Sequence, residues 1–301
     1  MSLPAFKRVW IIGARGLLGS ALRARLLQLR AVQGSAGIRF APLASAEEKA
    51  AALRHVLPID PCCGEEGVAA CVQAPGVAER ALAMAGVPEV VYFCAATHGG
   101  DAAAYRRAYL EPVQAVAAVA PGARLVFCSS VAVYEGRGEV AEDAPTPGST
   151  EKLRILLAAE QAALAAGGVV ARLAPLYGGH GPLKRCELLR RHLAGEPRLP
   201  GPPGRMLNYV HVEDAARALH LLGTAPLRHC VYNVCGESFT HAQAYALLET
   251  VTGVPAAREE ASAGQRGVSN HRIVAERMRE LAGPEWPAMR FPTYVAAALH
   301  Q

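Results

Sequence analysis

The stretch Val9-Trp10-Ile11-Ile12-Gly13-Ala14-Arg15-Gly16-Leu17-Leu18-Gly19-Ser20 constrains this chain more than any other. It begins as a short apolar run, long enough for a buried strand, and ends in three glycines spaced G-x-x-G-x-x-G. Ala21 to Leu29 then repeats apolar residues at three- and four-residue intervals, the spacing of a helix packed along one face. A side chain at Gly13 would hinder a tight strand-to-helix turn. One at Gly16 would keep an anion away from the backbone, and one at Gly19 would push the helix off the sheet. The helix start offers free N–H groups and the positive end of its dipole. Three glycines also suit a turn that binds nothing. Their place at the head of an α/β pattern favours a dinucleotide site made of Gly13, Ala14, Arg15, Gly16, Leu17, Leu18 and Gly19.

The next candidate strand, Ile38 to Leu43, bears on which dinucleotide. In such folds its end often carries an acid that grips the adenosine ribose. Here no acid follows until Glu47, which points to NADP in preference to NAD. Arg15, with its planar fork, could meet a 2′-phosphate; a solvated loop position is the alternative.

Beyond an illegible stretch from 46 to 88, strands and helices alternate. Glu89 to Ala96 reads as a buried strand ending in the small residues Ala95 and Ala96, then Thr97 and His98. Ala102 to Val119 reads as a helix interrupted at Pro112, and Arg124 to Ser130 as a strand with Ser129 and Ser130 at its carboxyl end. Val131 to Tyr134 leads into a polar loop up to Ser149. A helix follows from Thr150 to Ala166, then a strand from Val169 to Leu173. The pattern breaks in a Pro- and Gly-rich segment from 175 to 204 that holds one basic helix, about Leu183 to Leu193. Strands at Asn208–Val212 and Cys230–Val234 alternate with helices at Glu213–Leu222 and Thr240–Thr252, and a last helix is expected near Ile273 to Leu281. This order predicts an α/β, Rossmann-type, doubly wound parallel sheet with a small C-terminal substrate lobe. The dinucleotide domain would span 1–174 plus 207–236, and the lobe 175–206 plus 237–301.

Bulk properties exclude several classes. A net charge of +5 is mild and spread out, with no basic block interleaved with aromatics, so nucleic acid is not an expected partner. No apolar run approaches the roughly 18 residues of a membrane span. Lys7 and Arg8 precede only a brief apolar run that enters the glycine loop, so no signal peptide is expected and the reading is cytoplasmic. The eight cysteines form no C-x-x-C pair and the ten histidines lack metal spacing, which suits free thiols and no metal. A homodimer is one assembly open to such a chain.

The ordered motifs carry a resemblance. Gly13-x-x-Gly16-x-x-Gly19, Ala95-Ala96, Ser129-Ser130-Val131-Ala132-Val133-Tyr134, Arg172 to Gly178, Asn208 to Ala216 and Val231 to Val234 together resemble the extended short-chain dehydrogenase/reductases of the NAD-dependent epimerase/dehydratase group. The resemblance implies an NAD(P)-dependent oxidoreductase or epimerase acting on a small-molecule substrate, nucleotide-linked in type. It places Ala95, Ala96, Thr97, Ser129, Pro175 and Tyr177 beside the cofactor. It makes Ser130 the residue that orients the substrate hydroxyl or carbonyl. The family's Tyr-x-x-x-Lys pair has no match. Aligning the family's glutamate on Glu160 puts Leu156 in the lysine slot and Lys152 in the tyrosine slot, and no tyrosine stands between Tyr134 and Tyr177. Three readings follow. Lys152 is itself the acid/base, or Tyr134 or Tyr177 reaches the site, or the chain is a dinucleotide-binding sensor without ordinary turnover.

Overall fold

The computed structural model describes residues 9–14, 16–33, 87–97, 99–179, 186–198, 201–257 and 270–300. Arg15, the candidate strand Ile38 to Leu43, Glu47, His98, Lys184 and Arg185 lie outside the described residues. In chain order the elements begin with β1 (Val9–Ile12), α1 (Leu17–Gln33) and β2 (Val90–Phe93). A helix in three segments follows: α2 (Ala102–Tyr105), a π-helical turn (Arg106–Leu110) and α3 (Glu111–Val119). Then come β3 (Arg124–Ser130), β4 (Arg137–Val140), α4 (Glu151–Ala165), β5 (Val169–Leu173), β6 (Leu176–Tyr177) and α5 (Glu187–Leu193). The chain continues through β7 (Met206–His211), α6 (Val212–Thr224), β8 (Val231–Val234), β9 (Glu237–Thr240) and α7 (His241–Thr252). It closes with β10 (Asn270–Ile273), α8 (Glu276–Ala282) and α9 (Phe291–Ala298).

The central sheet runs β1-β2-β3-β5-β8. β1, β2 and β3 pair in parallel, with Trp10, Val91 and Leu125 in register, then Ile11, Tyr92 and Val126, then Ile12, Phe93 and Phe127. Every residue of β1 and β2 is buried, as a parallel sheet covered on both faces requires. This is the doubly wound α/β architecture expected from the alternation. The chain falls into two compact units. The first takes Met1–Val133, Gly148–Arg172 and Ala216–Tyr232; the second takes Tyr134–Pro147, Leu173–Ala215 and Asn233–Gln301.

In the first unit, the two sheet faces carry different helices. On the face of Phe127, the ring of Tyr109 meets Phe127 edge-on at 6.4 Å. On the face of Tyr92, α6 comes so close at Gly223 that a Cβ there would lie 2.0 Å from the Tyr92 hydroxyl oxygen. Arg124 ends that helix: its guanidinium donates to the carbonyls of Gly223 at 3.2 Å and Ala225 at 2.7 Å, groups with no intrahelical partner. Thr150 caps α4, its hydroxyl accepting from Leu153 N at 3.3 Å.

The second unit is built on aromatic packing. Tyr177, Leu188, Leu189, Tyr245, Phe291 and Tyr294 form its core. β7 pairs in parallel with β6 and antiparallel with β9, and β4 pairs in parallel with β10. Thr240 and Gln243 make a reciprocal capping box at the start of α7.

Several expectations need correction. The polar loop before Ser149 contains β4, which forms only because β10, far away in sequence, supplies its partner. Ile273 ends that partner strand, and the helix starts at Glu276. The irregularity expected at Pro112 takes the form of a π-helical turn at Arg106–Leu110, directly before Pro112 in the first turn of α3. Asp214, in the first turn of α6, holds a segment distant in sequence: its carboxylate accepts from Ala288 N and Met289 N. The described arginines of the basic helix pair within their own unit. Arg190 pairs with Glu187 and Glu196, and Arg191 donates to the Pro197 carbonyl.

His220, buried on α6, has its pKa pushed down to about 4, by burial first and by the Arg25 charge second. A histidine depressed in the folded state contributes stability that is complete above its unfolded value of about 6.5 and is lost as pH falls through the folded value. Urea midpoints of the wild type should therefore fall from pH 7 to pH 4. In His220→Asn the fall between pH 6.5 and 4 should be smaller; an identical pH profile would contradict this assignment.

Candidate dinucleotide site

The glycine turn is held by backbone contact. Gly16 N donates to the Gly13 carbonyl at 3.0 Å, and Gly13 has φ +81°, a conformation side chains disfavour. A Cβ on Gly13 would lie 2.7 Å from Ala95 N, so the turn rests directly on the carboxyl end of β2. A Cβ on Gly19 would lie 2.2 Å from the Gly13 carbonyl oxygen, inside the van der Waals contact of the turn itself. Gly16 differs: it is exposed, and its nearest neighbour for a Cβ is the Gly13 carbonyl oxygen at 3.3 Å. Two glycines thus bring helix and sheet together, and the third leaves the turn open on its outer side. α1 then starts at Leu17 with no acidic residue in its first turn. The early amides of a helix have no internal acceptor and suit an anion. The turn fits a pyrophosphate.

Ala95, Ala96 and Thr97 continue β2 past the turn; Ala96 is exposed and the other two are half-buried. Thr97 N donates to the Tyr109 hydroxyl at 3.2 Å, while Thr97 Oγ1 is buried with no partner among the described residues. Ser129 and Ser130 end β3. Ser129 is buried and its hydroxyl donates to Glu160 Oε1 at 2.5 Å. Arg172 forks the same carboxylate, with Nε 3.1 Å from Oε1 and Nη2 2.7 Å from Oε2. Both members of that ion pair are buried, so each depends on the other. Ser130 is half-buried, and its Oγ accepts from Ala132 N at 3.1 Å.

The three candidate proton-transfer groups are placed differently. Lys152 is exposed in the first turn of α4, with its Nζ 5.6 Å from the centroid of the Tyr105 ring. Tyr134, in the second unit, is buried, and its hydroxyl donates to Asn233 Oδ1 at 2.8 Å. Tyr177 is also buried there, amid Tyr209, His211, Phe291 and Tyr294, and burial pushes its phenol pKa up. Pro175 is exposed, and its carbonyl accepts from Val210 N at 3.1 Å. The first unit therefore gathers the described glycine turn, Ala95 to Thr97, Ser129, Ser130 and Lys152, whereas Tyr134, Pro175 and Tyr177 belong to the second.

Sequence reasoning missed the Ser129–Glu160–Arg172 network and the Tyr105–Tyr109 pair. Spacing of four between the two tyrosines was the one available signal. The network joins a strand end, a helix and a further strand, and no local pattern reports that.

The glycines give a test. Gly19→Ala should lower both thermal stability and dinucleotide affinity, since its Cβ meets backbone. Gly16→Ala should leave the melting temperature near wild type and weaken the dinucleotide about tenfold, roughly 1.4 kcal/mol, by calorimetry. Equal affinity in Gly16→Ala and wild type would remove the pyrophosphate from this turn.

Comparison with known proteins identifies the family and the fold. The profile of the NAD dependent epimerase/dehydratase family matches residues 9–235. None of the curated proteins matches the chain in sequence. Among solved structures, dTDP-glucose 4,6-dehydratase from Bacillus anthracis in complex with NAD is similar at TM-score 0.71 and 16% identity, over 98% of this chain and 96% of that one. The Bordetella bronchiseptica enzyme WbmG in complex with NAD and UDP is similar at TM-score 0.70 and 19% identity, over 99% and 94%. UDP-glucuronic acid 4-epimerase from Bacillus cereus in complex with NAD is similar at TM-score 0.69 and 15% identity, over 96% of each chain. At these identities the structures establish a shared fold. The profile match, which begins at β1 and runs through β8, makes this chain a member of the NAD dependent epimerase/dehydratase family.

Proposed function

We propose that this chain is an NAD(P)-dependent enzyme that epimerises, dehydrates or reduces a nucleotide-linked sugar, with an altered catalytic set. The observation that carries the reading is the glycine turn, closed by backbone contact at Gly13 and Gly19 and open at Gly16, within a chain of this family. The amides from Gly13 to Gly19 hold the pyrophosphate. Ala95, Ala96 and Thr97 lie along the nicotinamide half, where small residues let a ligand approach the strand end. When bound, the dinucleotide supplies a hydride acceptor and donor. Ser130 orients the reacting hydroxyl or carbonyl, steadied through Ser129 by the Glu160–Arg172 pair. Lys152 supplies the cation at the start of α4. Tyr134 and Tyr177 serve in packing, which their burial and their partners support. The described structural neighbours were solved with NAD, and one also with UDP, which supports a sugar nucleotide as substrate class.

NADP is the preferred form on the sequence argument: no acid follows Leu43 before Glu47, and Arg15 stands in the turn. The domain over 1–174 plus 207–236 binds the dinucleotide, and the lobe over 175–206 plus 237–301 takes the sugar nucleotide.

Calorimetric titration of the purified chain with NAD+ and NADP+ tests the reading. Product chromatography after incubation with UDP-glucuronic acid and dTDP-glucose follows turnover. At least one dinucleotide should bind. Ser130→Ala should lower turnover by about 10²- to 10⁴-fold while dinucleotide affinity stays near wild type. Failure to bind either dinucleotide would sink the proposal. Arg15→Ala should weaken NADP+ by about tenfold and leave NAD+ nearly unchanged; equal losses would reject the NADP preference.

A further inference from the structure

We infer that Tyr105 is the proton-transfer group of this chain, with Lys152 positioning its charge; the inference rests on the dinucleotide reading above. α4 has no tyrosine, so a phenol must come from another element or be absent. The structure brings one to Lys152. Tyr105 ends α2, and the Lys152 ammonium lies 5.6 Å from its ring centroid. A cation over a phenol ring favours the negative charge that the ring oxygen carries once it has given up its proton.

The surroundings fix this ring and leave its hydroxyl available. Tyr105 packs on Tyr109 at 5.2 Å, and Tyr109 packs edge-on against Phe127 of β3. The Tyr109 hydroxyl is occupied by Thr97 N, just past the end of β2. Tyr109 thereby ties Tyr105 to the strand ends that carry Thr97 and Ser129. The Tyr105 hydroxyl has no hydrogen-bond partner among the described residues, and the residue is half-buried. Backbone geometry adds an independent sign. The helix passes from α to π at Arg106–Leu110, directly after Tyr105. A π turn inserts a residue into a helix and re-aims the side chains around it, and such turns recur at functional sites. Asp101 anchors the segment before it: its carboxylate accepts from Ala104 N at 2.8 Å, and its carbonyl from Tyr105 N at 3.1 Å.

In the reducing direction the Tyr105 hydroxyl gives its proton to the oxygen of a substrate carbonyl while the carbonyl carbon takes a hydride from the reduced dinucleotide. The phenol O–H, the carbonyl π bond and a dinucleotide C–H bond break, an alcohol O–H and a substrate C–H form, the carbonyl is reduced and the dinucleotide oxidised, and solvent returns a proton to the Tyr105 oxygen. Oxidation reverses each change.

Tetranitromethane labelling of the full chain tests this, with nitrated Tyr105 quantified by peptide mass spectrometry and NAD+ binding measured separately by calorimetry. Saturating NAD+ should slow nitration of Tyr105 several-fold. Tyr105→Phe should keep NAD+ affinity near wild type and lower turnover about 100-fold. Lys152→Arg should restore turnover that Lys152→Met loses. NAD+ binding with no protection of Tyr105 would overturn the inference and leave the dinucleotide reading standing. Absence of binding by both NAD+ and NADP+ would overturn both.

Discussion

The contact between the Gly13 carbonyl and Gly19 is the constraint on which the site depends. Any side chain at Gly19 would start 2.2 Å from that oxygen, so the helix can approach the turn only if residue 19 has none. The same approach is made on the other side, where Gly13 lies against the backbone of Ala95. Strand, turn, helix and the end of the neighbouring strand therefore meet by backbone alone. The first amides of α1 have no acceptor within their own helix, which suits an anion such as a pyrophosphate.

A second arrangement orders the carboxyl end of β3. Glu160, from the middle of α4, is almost wholly removed from water yet accepts from Ser129 and from both ends of the Arg172 fork. An ion pair at this depth contributes little net stability, because desolvation offsets the attraction. Removing one partner is costly, about 3–5 kcal/mol, because a lone buried charge remains. The network thus sets where β3 ends, rather than adding much to its stability. It orients Ser129 inward, and the next residue, Ser130, follows by strand alternation with its hydroxyl only half-buried.

The second unit shows why candidate residues read from motif position alone divide into two kinds. Tyr134 and Tyr177 both stand in motif segments, yet each hydroxyl has an internal partner and each ring fills a core. Asp214 and Asn233 behave likewise. Asp214 holds the backbone at Ala288 and Met289, while Asn233 joins Tyr134 to the Val274 carbonyl and donates its own N–H to Glu142. These polar groups are satisfied, as buried polar groups must be, and their chemistry is spent on architecture.

What the sequence by itself determined was local in physical origin. Apolar runs of strand length, the glycine spacing, the Thr150 and Thr240 caps and the alternation of elements depend on neighbours within about one helical turn, so the parallel sheet and the glycine turn could be read directly. Tertiary structure alone decided what depends on partners distant along the chain. β4 exists because β10 supplies its hydrogen bonds, Glu160 is tolerable because Arg172 and Ser129 meet it, and Asp214 accepts from a backbone segment over seventy residues later. Lys152 over Tyr105 belongs to the same class. A residue's chemistry at such positions is set by desolvation and by which opposite charge or donor arrives, and neither is encoded in spacing along the chain.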